Sequence, residues 1–388
     1  ETMSAEHKEL LILANSGRAI AESAVRGGYR VTVLDGFCDQ DTLAIADCWA
    51  ISQGFLRQDM DMFVDEITSH APEDISGVIF GAGLEESSLL LKRLSNVFHL
   101  YGNDPDVFEI IGKPRRFFSL LNRLRIPYPE VSFTPPYSAD ENSWLIKRTS
   151  SCGGQGVAYF NSQHSAADSK CYYQKHLPGQ VMSVVFIADG KRHRTIGYNR
   201  LGMNSAKPPA PFLYTGATGQ ASLNGIQRNQ LDNIVEKLVF ELGLRGVNSF
   251  DFILNEDDVY LIDLNPRPSA TLELYEHLLT DGWINHHVRA CQGELPVMPI
   301  VTEAVVHGHQ IVYAPRTLQI PLSMNWPDWV KDRPADGSRI AEGQPLCSLH
   351  GTGINADMVE TVLQNYQEDI LQMFGLFVSE SMQRKVVV

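Results

Sequence analysis

The sequence predicts an α/β domain at its beginning, followed by strand-rich regions of α+β character. Two apolar runs, residues 9–14 (ELLILA) and 29–35 (YRVTVLD), flank a helical stretch. A strand–helix–strand unit with apolar strands is typical of a parallel sheet. From residue 144 the pattern changes to short strand-like segments, interrupted by an amphipathic helical segment at 226–243. This change of pattern predicts a chain that combines α/β and α+β architecture.

Composition and charge indicate a globular protein that binds small molecules rather than nucleic acid or a membrane. The chain has 388 residues, of which 44% are hydrophobic and 20% charged, as is typical of a globular protein with more than one domain. A net charge of −14 argues against binding to nucleic acid or to an anionic membrane, so we expect small-molecule partners. The six cysteines are scattered and form no CxxC pair, which fits a reducing compartment. The sequence shows neither a secretory signal pattern nor an apolar run of about 18 residues, so we expect a cytoplasmic protein.

The first domain is predicted to end near residue 110. Its first helix follows the turn Asn15-Ser16-Gly17-Arg18 and runs to about Arg26. A third strand at 77–83 (GVIFGAG) ends in glycine, and a helical segment at 85–98 follows it. These segments continue the alternation of strand and helix that predicts a parallel sheet.

The rest of the chain is predicted as strand-rich regions joined by helices and one long loop. A helix at 113–125 ends at IPYPEV, where two prolines force an extended link. The stretch 202–219 is rich in Gly, Pro and Ala and is predicted to be a mobile loop. A last helix is expected at 355–374. Strands are expected at 144–149, 156–161, 181–188, 193–199, 249–254, 259–265, 300–306, 309–313 and 345–350.

A glycine-rich loop, SSCGGQG at 150–156, is the first candidate for function. It lies between two strand-like segments, and Lys147 precedes it. A Walker A loop has a helix after its glycines and the lysine behind them, so this loop is not of that kind. The loop alone leaves two interpretations open. It is either an ordinary β-hairpin or a hairpin whose tip folds over phosphates with backbone N–H groups as donors.

The segment 248–271, NSFDFILNEDDVYLIDLNPRPSAT, is the second candidate. With a hairpin loop of three residues (255–257) or five, Asp251 and Asp263 share one sheet face, whereas a four-residue loop separates them. Sharing a face would leave Phe250, Phe252, Tyr260 and Ile262 on the opposite face, against the core. Two carboxylates and the amide of Asn265 on one face suit Mg²⁺, which prefers oxygen ligands. The alternative is an acidic, solvated sheet face.

Taken together, these segments resemble the ATP-grasp superfamily over most of the chain. Residues 10–35 are similar to that family's N-terminal Rossmann-like domain, and Lys113, at the start of a helix, resembles its first ATP lysine. Lys147 and the following loop resemble its second lysine and phosphate-covering hairpin. The resemblance implies four regions: an N-terminal α/β domain at 3–110, a small lobe with the glycine-rich hairpin at 111–200, a large lobe with the magnesium site at 201–290, and a C-terminal α+β region at 291–388.

The same resemblance assigns expected roles to individual residues. It implies ATP and Mg²⁺ as cofactors, with Lys147 and Arg267 as catalytic residues and Asp251, Asp263 and Asn265 as metal ligands. The segment YYQKHLPG (172–179) resembles the strand beside the adenine. The implied ATP-binding residues are Lys113, Lys147, Ser151, Gly153, Gly154, Gly156, Gln174, Lys175, His176 and Leu177. The chain departs from the family pattern at Lys175 and Val181, where acidic residues are usual, and in having two Asp as metal carboxylates; Val181 puts the ribose contact in doubt.

The activity implied is that of a carboxylate–amine ligase of the carboligase group related to biotin carboxylase. A carboxylate would attack the γ-phosphate of ATP, and an amine would then displace phosphate to give an amide. Related sequences also accompany methanopterin- and methanofuran-linked one-carbon genes, which suggests glutamate addition to such a cofactor precursor. The resemblance leaves a homodimer open. Three alternatives also stay open: a bicarbonate-activating carboxylase component, a small-molecule kinase, and a nucleotide-binding regulator with reduced catalysis.

The substrate residues are the least determined by the sequence. Candidates are the turn Ser16-Gly17-Arg18, the glycine turn with Glu85, and the residues Ser269 and Thr271. A structural role is an equal alternative for each. Arg18 is the leading candidate, because a cation at a helix N-terminus beside a glycine turn suits a carboxylate or phosphate.

Overall fold

A computed structural model of the protein describes residues 8–51, 55, 59–85, 87–136, 142–149, 153–161, 170–203, 208–299 and 305–376. The first of its sheets is parallel, with the strand order β3-β2-β1-β4-β5. Its strands are β1 (Glu9–Ala14), β2 (Arg30–Asp35), β3 (Asp47–Ala50), β4 (Ile75–Phe80) and β5 (Leu100–Tyr101). Its helices are α1 (Arg18–Arg26), α2 (Gln40–Leu43), α3 (Met60–His70), α4 (Ser88–Leu94) and α5 (Pro105–Ile111).

The predicted α/β beginning is confirmed in its first strands and first helix. Strands β1 and β2 and helix α1 match the prediction closely, since four of the six residues of β1 are fully buried leucine or isoleucine. The sequence analysis missed β3, whose residues are mostly exposed, and the helices α3 and α5. A strand with little buried surface carries no apolar run, so its pattern gives no signal.

Two antiparallel sheets follow. The smaller one has the order β6-β9-β7-β8, and the larger one the order β14-β13-β10-β11-β12-β15-β19-β17. The small sheet contains β6 (Val131–Ser132), β7 (Trp144–Arg148), β8 (Val157–Tyr159) and β9 (Cys171–Lys175). The large sheet contains β10 (Gln180–Asp189), β11 (His193–Leu201), β12 (Gly216–Thr218), β13 (Arg245–Asn255), β14 (Asp258–Asn265), β15 (Val306–Tyr313), β17 (Val330–Lys331) and β19 (Pro345–Gly353). A two-stranded sheet pairs β16 (Leu318–Gln319) with β18 (Arg339–Ile340).

Helices connect and cover these sheets. They are α6 (Pro114–Leu124), α7 (Gly225–Leu242), the 3₁₀ helix Ala270–Leu278, α8 (Trp283–Cys291) and α9 (Ala356–Met373). Helix α7 begins with a capping box in which Asn224 and Gln227 exchange side-chain and backbone hydrogen bonds. Its apolar residues, including Leu231 and Leu238, pack on β10, β13 and β14 in one buried cluster. The cluster holds the strands that carry the candidate metal ligands in a rigid core.

The predicted loop at 202–219 is wrong where it includes β12, and the predicted break between two strands at 306–309 is wrong as well. The stretch 202–219 contains β12, which pairs with both β11 and β15 and so joins the two halves of the large sheet. The sequence analysis also predicted a break between a strand at 300–306 and one at 309–313. The structure has no such break, because β15 runs from Val306 to Tyr313. Residues 300–304 lie outside the described ranges. The predicted division at residue 200 falls within β11, a strand of the large sheet. No helix in the described part of the chain is long and apolar enough to cross a membrane.

Candidate active site

The carboxylates of Asp251 and Asp263 lie directly opposite each other on β13 and β14. The hairpin loop is neither three nor five residues long, because Asn255 pairs with Asp258 and only two residues form the turn. That turn alone would pair Asp251 with Ile262. A β-bulge after Asp251 shifts the register by one residue and places Asp263 opposite Asp251.

The bulge also changes which side chains reach the core. Phe250 and Phe252 are fully buried, as predicted, but Tyr260 and Ile262 are only half-buried. The core-facing residues of β14 are Val259, Leu261 and Leu264. The prediction for Tyr260 and Ile262 is therefore wrong, because strict alternation along β14 assumes a hairpin without a bulge.

The two carboxylates carry negative charge that the protein does not fully balance. Burial, reinforced by the neighbouring Asp263, raises the pKa of Asp251 to about 7. Asp263 is exposed at the surface, but desolvation by the surrounding protein also raises its pKa; the charge of Lys147 opposes this shift and that of Glu85 adds to it. An opposed carboxylate pair with raised pKa values is an environment that favours a bound cation. The donor set of carboxylate and amide oxygens suits Mg²⁺.

Lys147 belongs to the small sheet, and its charge acts on both carboxylates. It lies on β7 opposite Tyr172 of β9, and its ammonium is 5.8 Å from the centre of that ring. Its Nζ donates a hydrogen bond to Oε1 of Gln174 at 3.1 Å. Gln174 is 2% exposed, and its Nε2 has no hydrogen-bond partner. An unsatisfied buried donor beside a lysine fits a ligand with acceptor atoms, such as the base or phosphates of a nucleotide.

The glycine-rich loop is a β-hairpin, as the sequence predicts, since β7 and β8 pair across it. Gly153, Gly154 and Gly156 all have positive φ, which explains why glycine occupies these positions. The tip touches the segment after residue 208. The backbone N–H of Tyr214 donates to the carbonyl of Gly153 at 2.9 Å, and a Cβ on Gly154 would lie 1.7 Å from the carbonyl oxygen of Phe212. Ser151 lies outside the described residues.

Other residues implied in ATP binding lie at the surface. Lys113 precedes α6, and its Nζ pairs with Glu109 at 2.7 Å rather than with a group of the carboxylate pair. Lys175, which is exposed, is 3.8 Å from Glu130. The backbone N–H of His176 donates to the carbonyl of Ser143 at 2.9 Å. The half-buried Leu177 follows the end of β9. These contacts give Lys113, Lys175 and His176 structural partners, and the nucleotide roles of all four residues stay predictions.

Arg267 is buried and is oriented by groups on two sides. It is 7% exposed, and its Nε donates to Oε1 of Glu85 at 2.5 Å. One terminal nitrogen donates to Oδ1 of Asn265 at 3.1 Å and the other to the carbonyl of Pro268 at 3.3 Å. Glu85 also accepts a hydrogen bond from the backbone N–H of Gly83 at 2.6 Å. Glu85 therefore positions Arg267, a role that the sequence did not suggest.

The first-domain turns meet where the strand order of the parallel sheet reverses, between β1 and β4. Asn15 donates its backbone N–H to the carbonyl of Ala82 at 2.7 Å across this point. In open parallel sheets, ligands bind at the carboxyl ends of the strands at such a reversal. Gly17, however, donates its backbone N–H to the carboxylate of Asp35 at 3.1 Å. After β14, Ser269 and Thr271 share a hydrogen bond at 2.9 Å.

Arg18 does not have a guanidinium free for a substrate carboxylate. It is 3% exposed and pairs with Glu273 in a two-point contact of 2.5 and 2.9 Å. It also donates to Asp332 at 2.8 Å and to Glu22 at 3.1 Å. The prediction that Arg18 binds a carboxylate or phosphate is not supported by these contacts, because protein carboxylates already take its donors.

The sequence analysis assigned no role to Tyr214 or His309, which are 2.7 Å apart from Oη to Nε2. It also missed Glu273 and Asp332. No motif marks these residues, since they come from four separate regions of the chain. Their proximity arises only when β12, β15 and the 3₁₀ helix pack together.

Comparison with known proteins relates the central part of the chain to a known domain family. The model of the ATP-grasp domain matches residues 114–271. The carbamoyl phosphate synthase large chain of Vibrio vulnificus (strain CMCP6) is 50% identical over 197 residues, 45% of this chain and 18% of that relative. Tyramine–L-glutamate ligase of Methanocaldococcus jannaschii is 27% identical over 138 residues, 35% of this chain and 39% of that ligase. The chain thus spans less than half the length of these two relatives.

A solved structure extends the similarity to nearly the whole fold. The biotin carboxylase domain dimer of the Hydrogenobacter thermophilus 2-oxoglutarate carboxylase, in complex with MgADP, ADP and bicarbonate, superposes with a TM-score of 0.68 at 13% identity. The match covers 95% of this chain and 89% of that domain. Residues 114–271 therefore match the ATP-grasp domain family, and the fold of nearly the whole chain is similar to that of a biotin carboxylase domain.

Proposed function

We propose that this protein is an ATP-dependent ligase that joins a small-molecule carboxylate to an amine through an acyl phosphate. The observation that carries the proposal is the opposed pair Asp251 and Asp263, with the charge of Lys147 acting on both. Excess negative charge beside a lysine is the environment in which Mg²⁺ and nucleotide phosphates bind together.

Three groups of residues would bind the metal ion, the nucleotide and the transferred phosphoryl group. Asp251, Asp263 and Asn265 would hold Mg²⁺, which when bound neutralises the charge on the phosphates. Lys147 and the hairpin glycines would hold the phosphates from the small sheet, while Gln174 offers a buried donor to the nucleotide. Arg267, fixed by Glu85 and Asn265, would steady the transferred phosphoryl group.

The reaction needs no nucleophile from the protein. A carboxylate oxygen of the substrate attacks the γ-phosphorus, the bond to the β-phosphate oxygen breaks, and ADP leaves. The amine nitrogen then attacks the carbonyl carbon of the acyl phosphate. A C–N bond forms, the C–O bond to phosphate breaks, and the nitrogen loses a proton to give the amide. We place the acceptor near Ser269 and Thr271 and the turn Ser16-Gly17.

The substrate proposal is narrower. The similarity to tyramine–L-glutamate ligase, whose name describes a ligation of an amine to an amino acid, supports a glutamate-type carboxylate. We extend this to glutamate addition to a one-carbon carrier precursor of the methanofuran or methanopterin type. The alternative is a bicarbonate-activating carboxylase component, which the similarity to a biotin carboxylase domain supports.

One assay separates these functions. The protein is incubated with ATP, Mg²⁺ and a panel of carboxylates, with and without amines, while ADP, phosphate and amide are measured. ADP and amide that require both a carboxylate and an amine support the ligase. ADP that appears with bicarbonate alone supports the carboxylase. Phosphorylated product without amide supports a kinase, and ATP binding with no turnover across the panel supports a regulator.

A further inference from the structure

A second group of charged residues lies outside the carboxylate pair, at the contact of the first domain with the C-terminal region. We call Arg18, Glu22, Asp41, Glu273 and Asp332 the Arg18 cluster. The hydrogen-bonded carboxylates are those of Glu22, Glu273 and Asp332, and Asp41 is 3.9 Å from Arg18 Nε. The carboxylates come from four different segments of the chain, so packing of separate domains creates the cluster.

The cluster has more negative than positive charge. Burial opposes ionisation of Glu273 and Asp332, but the charge of Arg18 outweighs it and holds the pKa of each carboxyl below its ordinary value. Lys331, 3.1 Å from Glu22, is the second cation. With all four carboxylates ionised, the charge of these groups is about −2, and a partly buried surplus of this kind favours a cationic ligand.

Histidines on one face of the large sheet border the cluster. His309 of β15 and His350 of β19 pair in register, so their side chains share that face. The Nε2 of His350 is 3.8 Å from Glu273, and Ser348, two residues earlier on β19, donates its hydroxyl to Asp332. The face that carries His309 is therefore the face that meets the Arg18 cluster.

His309 has one ring nitrogen that the protein does not satisfy. The side chain is 3% exposed, and its Nδ1 has no hydrogen-bond partner. Its Nε2 lies 2.7 Å from the hydroxyl of Tyr214. Burial and the nearby His350 lower the pKa of His309 to about 4, so the ring is neutral at pH 7. If Nε2 donates to Tyr214, Nδ1 is a buried acceptor that lacks a donor.

Tyr214 connects the two regions. Burial raises the pKa of its hydroxyl, and the charges of Asp251 on one side and Glu273 on the other add to the rise. The backbone N–H of Tyr214 donates to the carbonyl of Gly153 in the glycine hairpin, and its hydroxyl lies 2.7 Å from Nε2 of His309. Tyr214 therefore links the hairpin proposed to cover the phosphates with the histidine that borders the Arg18 cluster.

The cation is better matched by an organic ammonium than by a metal ion. Within the described residues, donor atoms close enough to share one ion are those of Asp35, Cys38 and Cys48, and the carboxylates of the Arg18 cluster do not meet this condition. An ammonium group has three donors that can reach separated acceptors. Glu273 and Asp332 are acceptors of this kind, and Nδ1 of His309 is a third in the tautomer whose Nε2 donates to Tyr214.

We propose that the Arg18 cluster, with His309, binds a cationic ammonium group of the amine substrate and leaves a second, neutral amino group of that substrate to attack the acyl phosphate. This inference rests on the proposed ligase function and reverses the charge class expected for the Arg18 turn. Diamines and other amines with a second cationic group are preferred over anionic or neutral nucleophiles. Arg18 acts as a positioning residue that holds the carboxylates apart, and it does not bind substrate.

The first test measures binding without ATP or carboxylate. The probes are 1,4-diaminobutane and tyramine, with glutarate as the anionic control, and the readouts are calorimetry and the thermal midpoint. The variants are Asp332→Asn, which keeps a side chain that tolerates the positive φ of 53° at this position, and the milder Glu22→Gln. Glu294→Gln, in an exposed ion pair with Arg289, is the matched control.

We expect the diamine to bind the parent protein and the control variant, and binding to weaken roughly 10-fold in Asp332→Asn as one charged hydrogen bond is lost. If Asp332→Asn does not fold, the diamine affinity of Glu22→Gln is compared with that of the parent protein instead. Equal responses to diamine and glutarate, or binding unchanged in both variants, would overturn the inference.

The second test separates this inference from the proposed function. In the ligase assay, the variants should raise the KM for the amine at least several-fold and leave the KM for ATP unchanged. Ligase activity with an unaltered amine KM would retain the ligase and refute the amine site. Diamine binding that depends on Asp332, with no ligase activity on any panel member, would retain the cation site and refute the ligase.

Discussion

Asp251 and Asp263 face each other across the β13–β14 hairpin because a β-bulge corrects the register set by a two-residue turn. Without the bulge, Asp263 would point to the core side of the strand. Bulges are frequent beside active sites, where they redirect a side chain. The local backbone of one hairpin thus places two carboxylates together at the cost of electrostatic repulsion, which a bound cation would relieve.

Asp263→Asn should abolish turnover and leave the fold intact. One of the two carboxylates that would hold Mg²⁺ is lost, and we expect ADP formation to fall at least about 100-fold, as when one preorganised electrostatic group is removed. In the absence of divalent cations the variant should have a higher thermal midpoint, because repulsion with Asp251 is gone. Retained activity would refute the magnesium assignment; Asp258→Asn, at the exposed first position of β14, is the control.

Lys147→Ala should weaken nucleotide binding. Loss of one charged hydrogen-bond donor to phosphate corresponds to about 1.5–3 kcal/mol, or roughly a 10- to 100-fold lower affinity. The measurement is calorimetry with a nonhydrolysable ATP analogue and Mg²⁺. Lys191→Ala, an exposed lysine in the turn after β10, serves as the control. An unchanged affinity would mean that the glycine hairpin does not cover the phosphates.

Gly154→Ala should disrupt the contact of the glycine hairpin with the segment 210–214, whereas Gly153→Ala should not. Both glycines have positive φ, so backbone strain of about 1 kcal/mol is common to the two variants. Only at Gly154 does an added Cβ overlap the carbonyl oxygen of Phe212, at 1.7 Å; at Gly153 the nearest atom is 3.9 Å away.

Amide hydrogen exchange followed by mass spectrometry tests this difference. Faster exchange of the peptide containing Tyr214 is expected in Gly154→Ala, together with a higher KM for ATP. Similar exchange in both glycine variants would show that the hairpin tip does not hold this segment.

Asp39→Asn should change how stability depends on pH. Burial, with added repulsion from Asp332, Asp41 and Asp35, raises the pKa of Asp39 from 3.8 to about 8. The folded protein then binds a proton that the unfolded chain releases, so stability falls as pH rises from about 4 to about 8. This group contributes a slope of about 1.4 kcal/mol per pH unit in that window.

The variant, whose amide is neutral at every pH, lacks this contribution. Relative to the parent protein, its thermal midpoint should therefore rise progressively between pH 5 and pH 8. Midpoints of both proteins measured across this range check the prediction. A constant difference between the two proteins would show that Asp39 is ionised in the native state throughout.

The sequence predicted those parts of the site whose residues are close together in the chain. Lys147 with its glycines, and Asp251, Asp263, Asn265 and Arg267, each fall within one hairpin and its flank, where alternation and spacing report their geometry. Even there, the alternation argument misplaced Tyr260 and Ile262, because a bulge adds a residue that leaves no signal in the pattern of apolar and polar residues.

The strands and helices with strong apolar periodicity can be predicted from the sequence alone, and so can the residue types of the proposed nucleotide and metal site. The pairing of Arg18 with Glu273 and Asp332, which lie 255 and 314 residues away, and the contact of Tyr214 with His309 become visible only in the folded protein. Periodicity records contacts between neighbours in the chain and their burial. The partner of a buried charge depends on which domains pack together, and no local pattern contains that information.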